Sequence, residues 1–409
     1  MRVLMFSYSL SPSKGSEPGA GWGLLQAVRR FADVTVIHGT PDSEELAVYQ
    51  RENPQSDVTF VHVPVAKFPD AKHRLKVLRF VAYIRWIPKA HQAALRLMTL
   101  ERFDVVHHAT WSVYWLPSAA RGLDLPIVWG PVGGAVVTPR SLRTTLSRKE
   151  LVAEWFDEYS VRLAALDPRT RAMWRQATVA LFQNPSTQKR VNRHNSLDVL
   201  INHAEFTVAP EAETSSDTGE IVWVGAVESR KGPLLAVRAM QHVTSDARLV
   251  VVGDGPQLKS VRETIDSLSL GEKVRTTGKI PREEVQQMMA GAAATLYTGL
   301  REEGGLALAE GLLSGTPVIV IGNGGPLVLC AAAGNDERIQ IVDPSDADTV
   351  ERNLARAIDR ATLSSTADRS PMLRTDASAN RLHELFLAAI ASRDGANVSD
   401  TDPQNTEGV

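Results

Sequence analysis

Short, nearly continuous apolar runs separated by helix-sized gaps constrain this chain more than any other feature. After a first run at Met1–Phe6, strands are expected at Val34–His38, Val58–Val63, Asp104–His107, Pro126–Trp129, Val179–Phe182 and Val199–Ile201. The scheme then repeats at Ile221–Val224, Leu249–Val252, Val274–Thr277, Ala294–Tyr297 and Pro317–Ile321. Val- and Ile-rich runs without polar alternation belong to parallel strands covered on both faces. The expected fold class is therefore α/β, with two doubly wound Rossmann-like domains facing across a cleft. The polar, acidic stretch from Ala209 to Gly219 reads as the linker between an N-terminal domain (1–205) and a C-terminal domain (206–372). Leu382, Leu385, Phe386 and Ala389 mark a helix within 373–392, and the polar residues 393–409 read as a disordered tail.

Charge and cysteine content narrow the function classes. The 409 residues carry 45 basic and 47 acidic side chains, a net charge of −2. A balance this even is not that of a protein built around non-specific nucleic-acid binding. The single cysteine, Cys330, excludes an internal disulfide and a four-cysteine zinc site, and fits a reducing compartment. No apolar run approaches the ~20 residues of a membrane span. The short opening run lacks the pattern of a signal peptide, so a cytoplasmic setting is expected.

Four loops, each following an expected strand, carry the chemistry. Gly15-Ser16-Glu17-Pro18-Gly19-Ala20-Gly21-Trp22 lets backbone N–H groups approach a ligand, with a helix expected from Trp22 to Val28. The same residues also suit a tight turn with no ligand. Val224-Gly225-Ala226-Val227-Glu228-Ser229-Arg230-Lys231-Gly232 places two adjacent cations after a strand, as a phosphate clamp would, or as a solvated basic pair would. Gly253-Asp254-Gly255-Pro256 is turn chemistry. In the fourth loop, Glu302 precedes a helix that holds Glu310. Eight residues return the helix to nearly the same face about 12 Å further on, so the two carboxylates can meet the two ends of an extended polyhydroxyl ligand. Glu310 lies among Leu306, Leu308, Leu312 and Leu313. A carboxylate buried there requires a partner.

Glu302-x7-Glu310 followed by Gly315-Thr316-Pro317-Val318-Ile319 resembles the signature of the family-4 retaining glycosyltransferases, which have the GT-B fold. The order of the other loops is similar, and Gly-Ser-Glu-Pro-Gly-Ala-Gly-Trp with Trp129-Gly130-Pro131-Val132-Gly133-Gly134 resembles one bacterial branch of that family. The resemblance spans roughly residues 1–390 and implies a donor nucleotide sugar, with UDP the expected nucleotide, and no required metal or other cofactor. It implies that Lys231 holds the donor diphosphate, Glu310 the ribose and Glu302 the hydroxyls of the transferred sugar. Gly304, Gly305 and Leu306 would offer backbone N–H groups. Gly225 and Gly253 would flank the donor, Gly19 and Gly21 would sit beneath the phosphates, and Lys279-Ile280 would meet the base. A second glycine turn, Gly324-Gly325-Pro326, fits the same region. Glu17, His107, His108, Gly133 and Gly134 would face the acceptor, which is a small molecule, a glycan or a lipid. One of His107 and His108 should point into the cleft, with His108 favoured; a satisfied strand-end histidine is the other reading of either. Lys231, Glu302, His108 and Arg230 are the expected catalytic groups.

Two departures from the family pattern stand out. Ala226 replaces the usual arginine after the V-G pair, so Arg230 is its candidate substitute. Glu302-Glu303-Gly304-Gly305 replaces the usual E-G-F-G, so an aromatic is lost and a second carboxylate gained. The basic stretch 72–102, with Phe80, Tyr83 and Trp86 interleaved, suits either a core-facing helix or peripheral contact with the inner face of a membrane. A dehydrogenase is disfavoured because Leu24 stands where the third glycine of a dinucleotide fingerprint belongs and His38 where its acid belongs. A non-catalytic sugar-nucleotide-binding module and a GT-B-fold epimerase or phosphorylase are the remaining alternatives.

Overall fold

A computed structural model describes residues 1–39, 43–54, 57–65, 76–191, 197–207, 219–363 and 369–399. The sequence-derived linker, apart from Gly219, and the tail from residue 400 onward lie outside the described residues, as do residues 72–75 of the basic stretch.

Two wholly parallel sheets organise the chain. The first contains β1 (Arg2–Phe6), β2 (Asp33–His38), β3 (Val58–His62), β4 (Val105–His108), β5 (Ile127–Val132), β6 (Val179–Phe182) and β7 (Asp198–Leu200), ordered β3-β2-β1-β4-β5-β6-β7. The second contains β8 (Glu220–Val224), β9 (Arg248–Val252), β10 (Val274–Gly278), β11 (Ala294–Tyr297), β12 (Val318–Ile321) and β13 (Ile339–Val342), ordered β10-β9-β8-β11-β12-β13. The strand order reverses between β1 and β4, and again between β8 and β11. Loops diverge at each reversal and leave a crevice at the carboxyl ends of the strands. The edge strand β13 has no counterpart among the expected strands. Its Ile341 is half exposed and only Val342 is buried, so it lacks the all-apolar signal of a central strand.

Alternation within the strands divides the first domain's core between two faces. Leu4, Phe6, Val106 and Trp129 pack with Tyr83 and Trp86 of the Lys76–Leu100 helix. Val3, Met5, Val105 and Val128 pack with Leu24 and with Leu382 and Phe386 of the Thr375–Ser399 helix. That last helix thus returns from the second domain to close the first, and it continues through 393–399, which the sequence assigns to a tail. The Lys76–Leu100 helix directs Tyr83 and Trp86 into the core, while Arg79, Arg85, Lys89 and Arg96 remain exposed. Its two largest aromatics are therefore committed to packing and leave a solvated basic face. No helix of the described residues is long and apolar enough to cross a membrane.

The histidines at the end of β4 are structural in this arrangement. His107 is fully buried, with Nε2 2.8 Å from the Gly130 carbonyl and its ring edge-on to Phe386. His108 is buried with Nε2 3.0 Å from the Thr110 carbonyl and 3.3 Å from the Tyr83 hydroxyl. Neither opens to the cleft, against the sequence expectation for His108. Burial penalises the imidazolium and lowers His107 to about 4 and His108 to about 3. In the unfolded chain both titrate near about 6.5. The unfolded state therefore binds more protons between those values, and stability falls as pH drops from about 6.5 toward 4. Thermal melts across that window should show the decline, and His107→Phe should flatten it; a profile identical to wild type contradicts the neutral buried assignment.

Candidate active site

The Lys231 loop is shaped by packing against the end of β11. After β8, Ser229–Lys231 makes one 3-10 turn ending at Gly232, whose φ of +65° is left-handed. A Cβ on Gly232 would lie 2.2 Å from the Thr298 carbonyl oxygen, so only glycine fits. Trp223 Nε1 donates to Thr298 Oγ1 at 2.9 Å, and that hydroxyl donates to the Gly232 carbonyl at 2.8 Å. Held this way, Lys231 Nζ donates to Glu302 Oε2. Both side chains are largely sheltered, 24% and 14% exposed. They line a small pocket of ≈ 30 Å³ together with Trp223, Tyr297, Gly305 and Pro326.

Glu310 has the partner its surroundings demand. Arg282, at the start of the Arg282–Ala290 helix, donates to Glu310 Oε1 at 2.7 Å. Burial pushes the Glu310 carboxyl up, and the guanidinium opposes that shift. Tyr297 Oη donates to the Ala307 carbonyl at 2.7 Å, fixing the first turn of the Leu306–Leu313 helix below Glu310.

Glu303 reaches across to the other domain. It accepts from the Val136 N–H and from Asn184 Nδ2, both at 2.7 Å, and from the Gly134 backbone. Burial raises its carboxyl and these three donors oppose the shift. Asn202 Nδ2 donates to the Glu303 and Gly304 carbonyls at 3.2 and 3.0 Å. Nearby, Asn323 Nδ2 donates to the Val137 carbonyl at 3.2 Å, and Leu142 and Leu146 of the first domain are buried in the core of the second. The segment 133–146 is thus an interdomain strap.

The remaining sequence candidates fall into distinct places. Arg230 turns to Glu228 at 2.6 Å and is 42% exposed, so this conformation does not bring it to Glu302. Gly19 and Gly21 lie inside the Ser16–Val28 helix, which begins six residues before the expected Trp22. A Cβ on Gly21 would meet the Ser9 carbonyl at 2.5 Å and Thr110 Cγ2 at 2.7 Å, which makes it a close-packing glycine. Glu17, in the first turn, accepts from the Trp111 N–H at 2.6 Å. Gly133 and Gly134 border the strap, with Glu303 Oε2 3.2 Å from where a Gly133 Cβ would stand. A Cβ on Gly253 would lie 1.9 Å from the Gly225 carbonyl oxygen, so these two loops nest by contact of bare backbone. Lys279 is exposed and Ile280 half-buried beyond β10, next to Gly253, whose N–H donates to Gly278. Leu306 opens the helix after Gly305, whose φ is +98°.

Residues 207–369 match the family model of the glycosyl transferases group 1. The pair Lys231–Glu302, Arg282–Glu310 and the Gly305 turn all lie within this group 1 domain. A stretch of 142 residues is 30% identical to a 2-deoxystreptamine glucosyltransferase of Streptomyces kanamyceticus, covering 34% of this chain and 36% of that protein. The chain thus matches little more than a third of that relative's length. Two solved structures share the whole fold. HepE of Anabaena, in complex with UDP and glucose, superposes with a TM-score of 0.54 at 14% identity over 98% of this chain and 100% of its own. Sucrose-phosphate synthase from Thermosynechococcus elongatus gives 0.57 at 17% identity over 98% of both chains. The two facing Rossmann-like domains are the GT-B arrangement of such glycosyltransferases.

Three neighbours of the candidate site escape sequence reasoning because their contacts are non-local. Arg282 stands 28 positions before Glu310, and Asn184 stands 119 before Glu303. His203, next to the linker, lies against Gly304, where an added Cβ would be 2.4 Å from its Cε1. Burial lowers the His203 pKa, and the charges of Glu17 and Glu302 oppose this from the two domains. Among the described residues, no group of three or more His, Cys, Asp or Glu side chains is arranged to hold a metal ion.

Glu303→Gln tests the interdomain carboxylate. The amide offers one acceptor oxygen where the carboxylate offers two, and its NH2 faces existing donors. A loss of about 1–3 kcal/mol of unfolding free energy is expected. Denaturant titration checks this, and an unchanged midpoint contradicts it.

Proposed function

We propose that this protein is a retaining glycosyltransferase that moves a sugar from a UDP-sugar to an acceptor hydroxyl. The reading is supported by the Lys231–Glu302 pair on the loops after β8 and β11 and by the Arg282–Glu310 pair on the helix that follows, all within the segment that matches the group 1 model. The ligands of the Anabaena neighbour and the activity named for the Streptomyces relative support a nucleotide-sugar donor.

In this proposal the donor diphosphate takes Lys231 from Glu302, and Glu302 turns to the sugar hydroxyls. Glu310 exchanges Arg282 for the ribose. The bond between the anomeric carbon and the diphosphate oxygen breaks, and its electron pair leaves with UDP. The acceptor oxygen bonds to the same carbon from the same face, and its proton passes to the departing phosphate oxygen. Charge grows on that phosphate as the bond opens, so a fixed ammonium stabilises the transition state more than the ground state. No metal is required in this scheme. Closure of the two domains over the substrates excludes water. The single cysteine, Cys330, buried in the second domain, suits a cytoplasmic setting.

Turnover over a panel of UDP-, GDP-, ADP- and dTDP-sugars tests the reading. Lys231→Ala should lower turnover of the UDP donor about 10²–10³-fold, the cost of losing one transition-state donor. Glu310→Ala should raise the donor KM while the protein stays folded. Full turnover in Lys231→Ala contradicts the phosphate role. UDP binding without turnover of any donor would indicate the non-catalytic module.

A further inference from the structure

The Arg148–Ala164 helix presents its acids to the protein and its aromatics to solvent. Thr138 Oγ1 donates to Glu154 at 2.6 Å and Gln257 Nε2 donates to Glu150 at 2.7 Å. Glu158 lies 3.7 Å from Arg143, and Asp157 lies 3.6 Å from Arg301. No residue of this helix is fully buried. On the other side Val152, Trp155, Phe156, Tyr159 and Leu163 recur at helical spacing, and Leu166 continues the stripe. These six side chains are 51–67% exposed. Trp155 and Tyr159 stack with ring centroids 5.6 Å apart.

A contiguous apolar stripe left in water marks a surface that something covers. Cations frame it. Arg148 and Lys149 are exposed on the same helix, and Arg171 and Arg175 on the Pro168–Gln176 helix that follows, while Arg162 pairs with Glu158 and Arg169 with Asp167. Asp157 is the one exposed acid on the Arg148–Ala164 helix, and it leans toward Arg301. A second copy of the chain fits poorly. Parallel pairing of two such helices sets Arg148 and Lys149 of one copy against those of the other, and antiparallel pairing sets them against the Arg162–Glu158 pair, which offers no free acid. An anionic bilayer accepts both features, taking aromatics at the headgroup level and cations at the charged surface.

We propose that the Arg148–Ala164 helix, with the basic face of the helix after it, is a docking surface for an anionic membrane. This assignment moves the expected membrane contact away from 72–102, where Tyr83 and Trp86 are buried. The helix contacts Thr138 of the strap and Arg301 beside Glu302, so a docked bilayer lies next to the cleft. The inference does not depend on the transferase reading, because adsorption requires no turnover.

Co-sedimentation of the full chain with vesicles tests it. Binding is expected to phosphatidylcholine vesicles containing about a third phosphatidylglycerol, not to phosphatidylcholine alone, and added salt should weaken it. The double variant Trp155→Ser/Phe156→Ser should bind about tenfold more weakly or worse, with an unchanged melting temperature because both side chains are exposed. Arg148→Glu/Lys149→Glu should lose binding as well. The proposal is overturned by absence of binding to anionic vesicles, or by equal binding of the aromatic double variant. It is also overturned by sedimentation velocity showing a wild-type dimer that the double variant dissociates, which would give the face to a second copy.

Discussion

Two adjacent carboxylates after β11 point in opposite directions, and the geometry of the cleft follows from that division. Glu302 stays within its own domain and takes Lys231, while Glu303 crosses to the Gly134 and Val136 backbone and to Asn184. Their backbone is clamped by the neighbouring glycine turn. Gly325 N–H donates to the Glu302 carbonyl at 3.0 Å, and Cβ atoms on Gly324 and Gly325 would lie 2.3 and 1.9 Å from the Glu302 and Glu303 carbonyl oxygens. Gly324 also has φ +68°, a left-handed backbone. The tolerance for any other residue at this turn is therefore slight, and one turn holds the backbone of both the acid that stays in its own domain and the acid that crosses to the other.

Charge balance governs the sheltered acids of this cleft. Two sheltered acids of the second domain have counter-ions, Lys231 for Glu302 and Arg282 for Glu310, while Glu303 is held by neutral donors. Leaving either acid alone in a largely dry pocket would carry a large desolvation cost. In the proposed reaction, a diphosphate that displaces Glu302 from Lys231 would replace one anion with another, so the ammonium would stay paired throughout. Arg230, already matched to Glu228 and largely solvated, is less prepared for that exchange than Lys231.

The central strands are legible because their residues are buried on both faces and leave no polar alternation to misread. The edge strand β13 escapes for the converse reason, with Ile341 in solvent. That Glu310 needs a partner is legible from the leucines around it, but the partner is not, since Arg282 comes from a distant segment, as do Asn184 beside Glu303 and His203 beside Gly304. The N-terminal glycine loop misleads in an instructive way. Ser16-Glu17-Pro18 are already the first turn of a helix, and Gly21 is required by the approach of Ser7, Ser9 and Thr110 rather than by an open loop. Phe80, Tyr83 and Trp86 on one helix and Trp155, Phe156 and Tyr159 on another look alike as composition. Only tertiary packing distinguishes two aromatics sealed in a core from three left in water.

The diphosphate role of Lys231 is read most directly by calorimetric titration of UDP into the wild-type protein and into Lys231→Ala. One UDP per chain, held at least about tenfold more weakly by the variant, is expected if the ammonium meets the phosphates. Equal affinity in the two proteins, with both folded, contradicts that role and removes the basis for placing the donor between the domains.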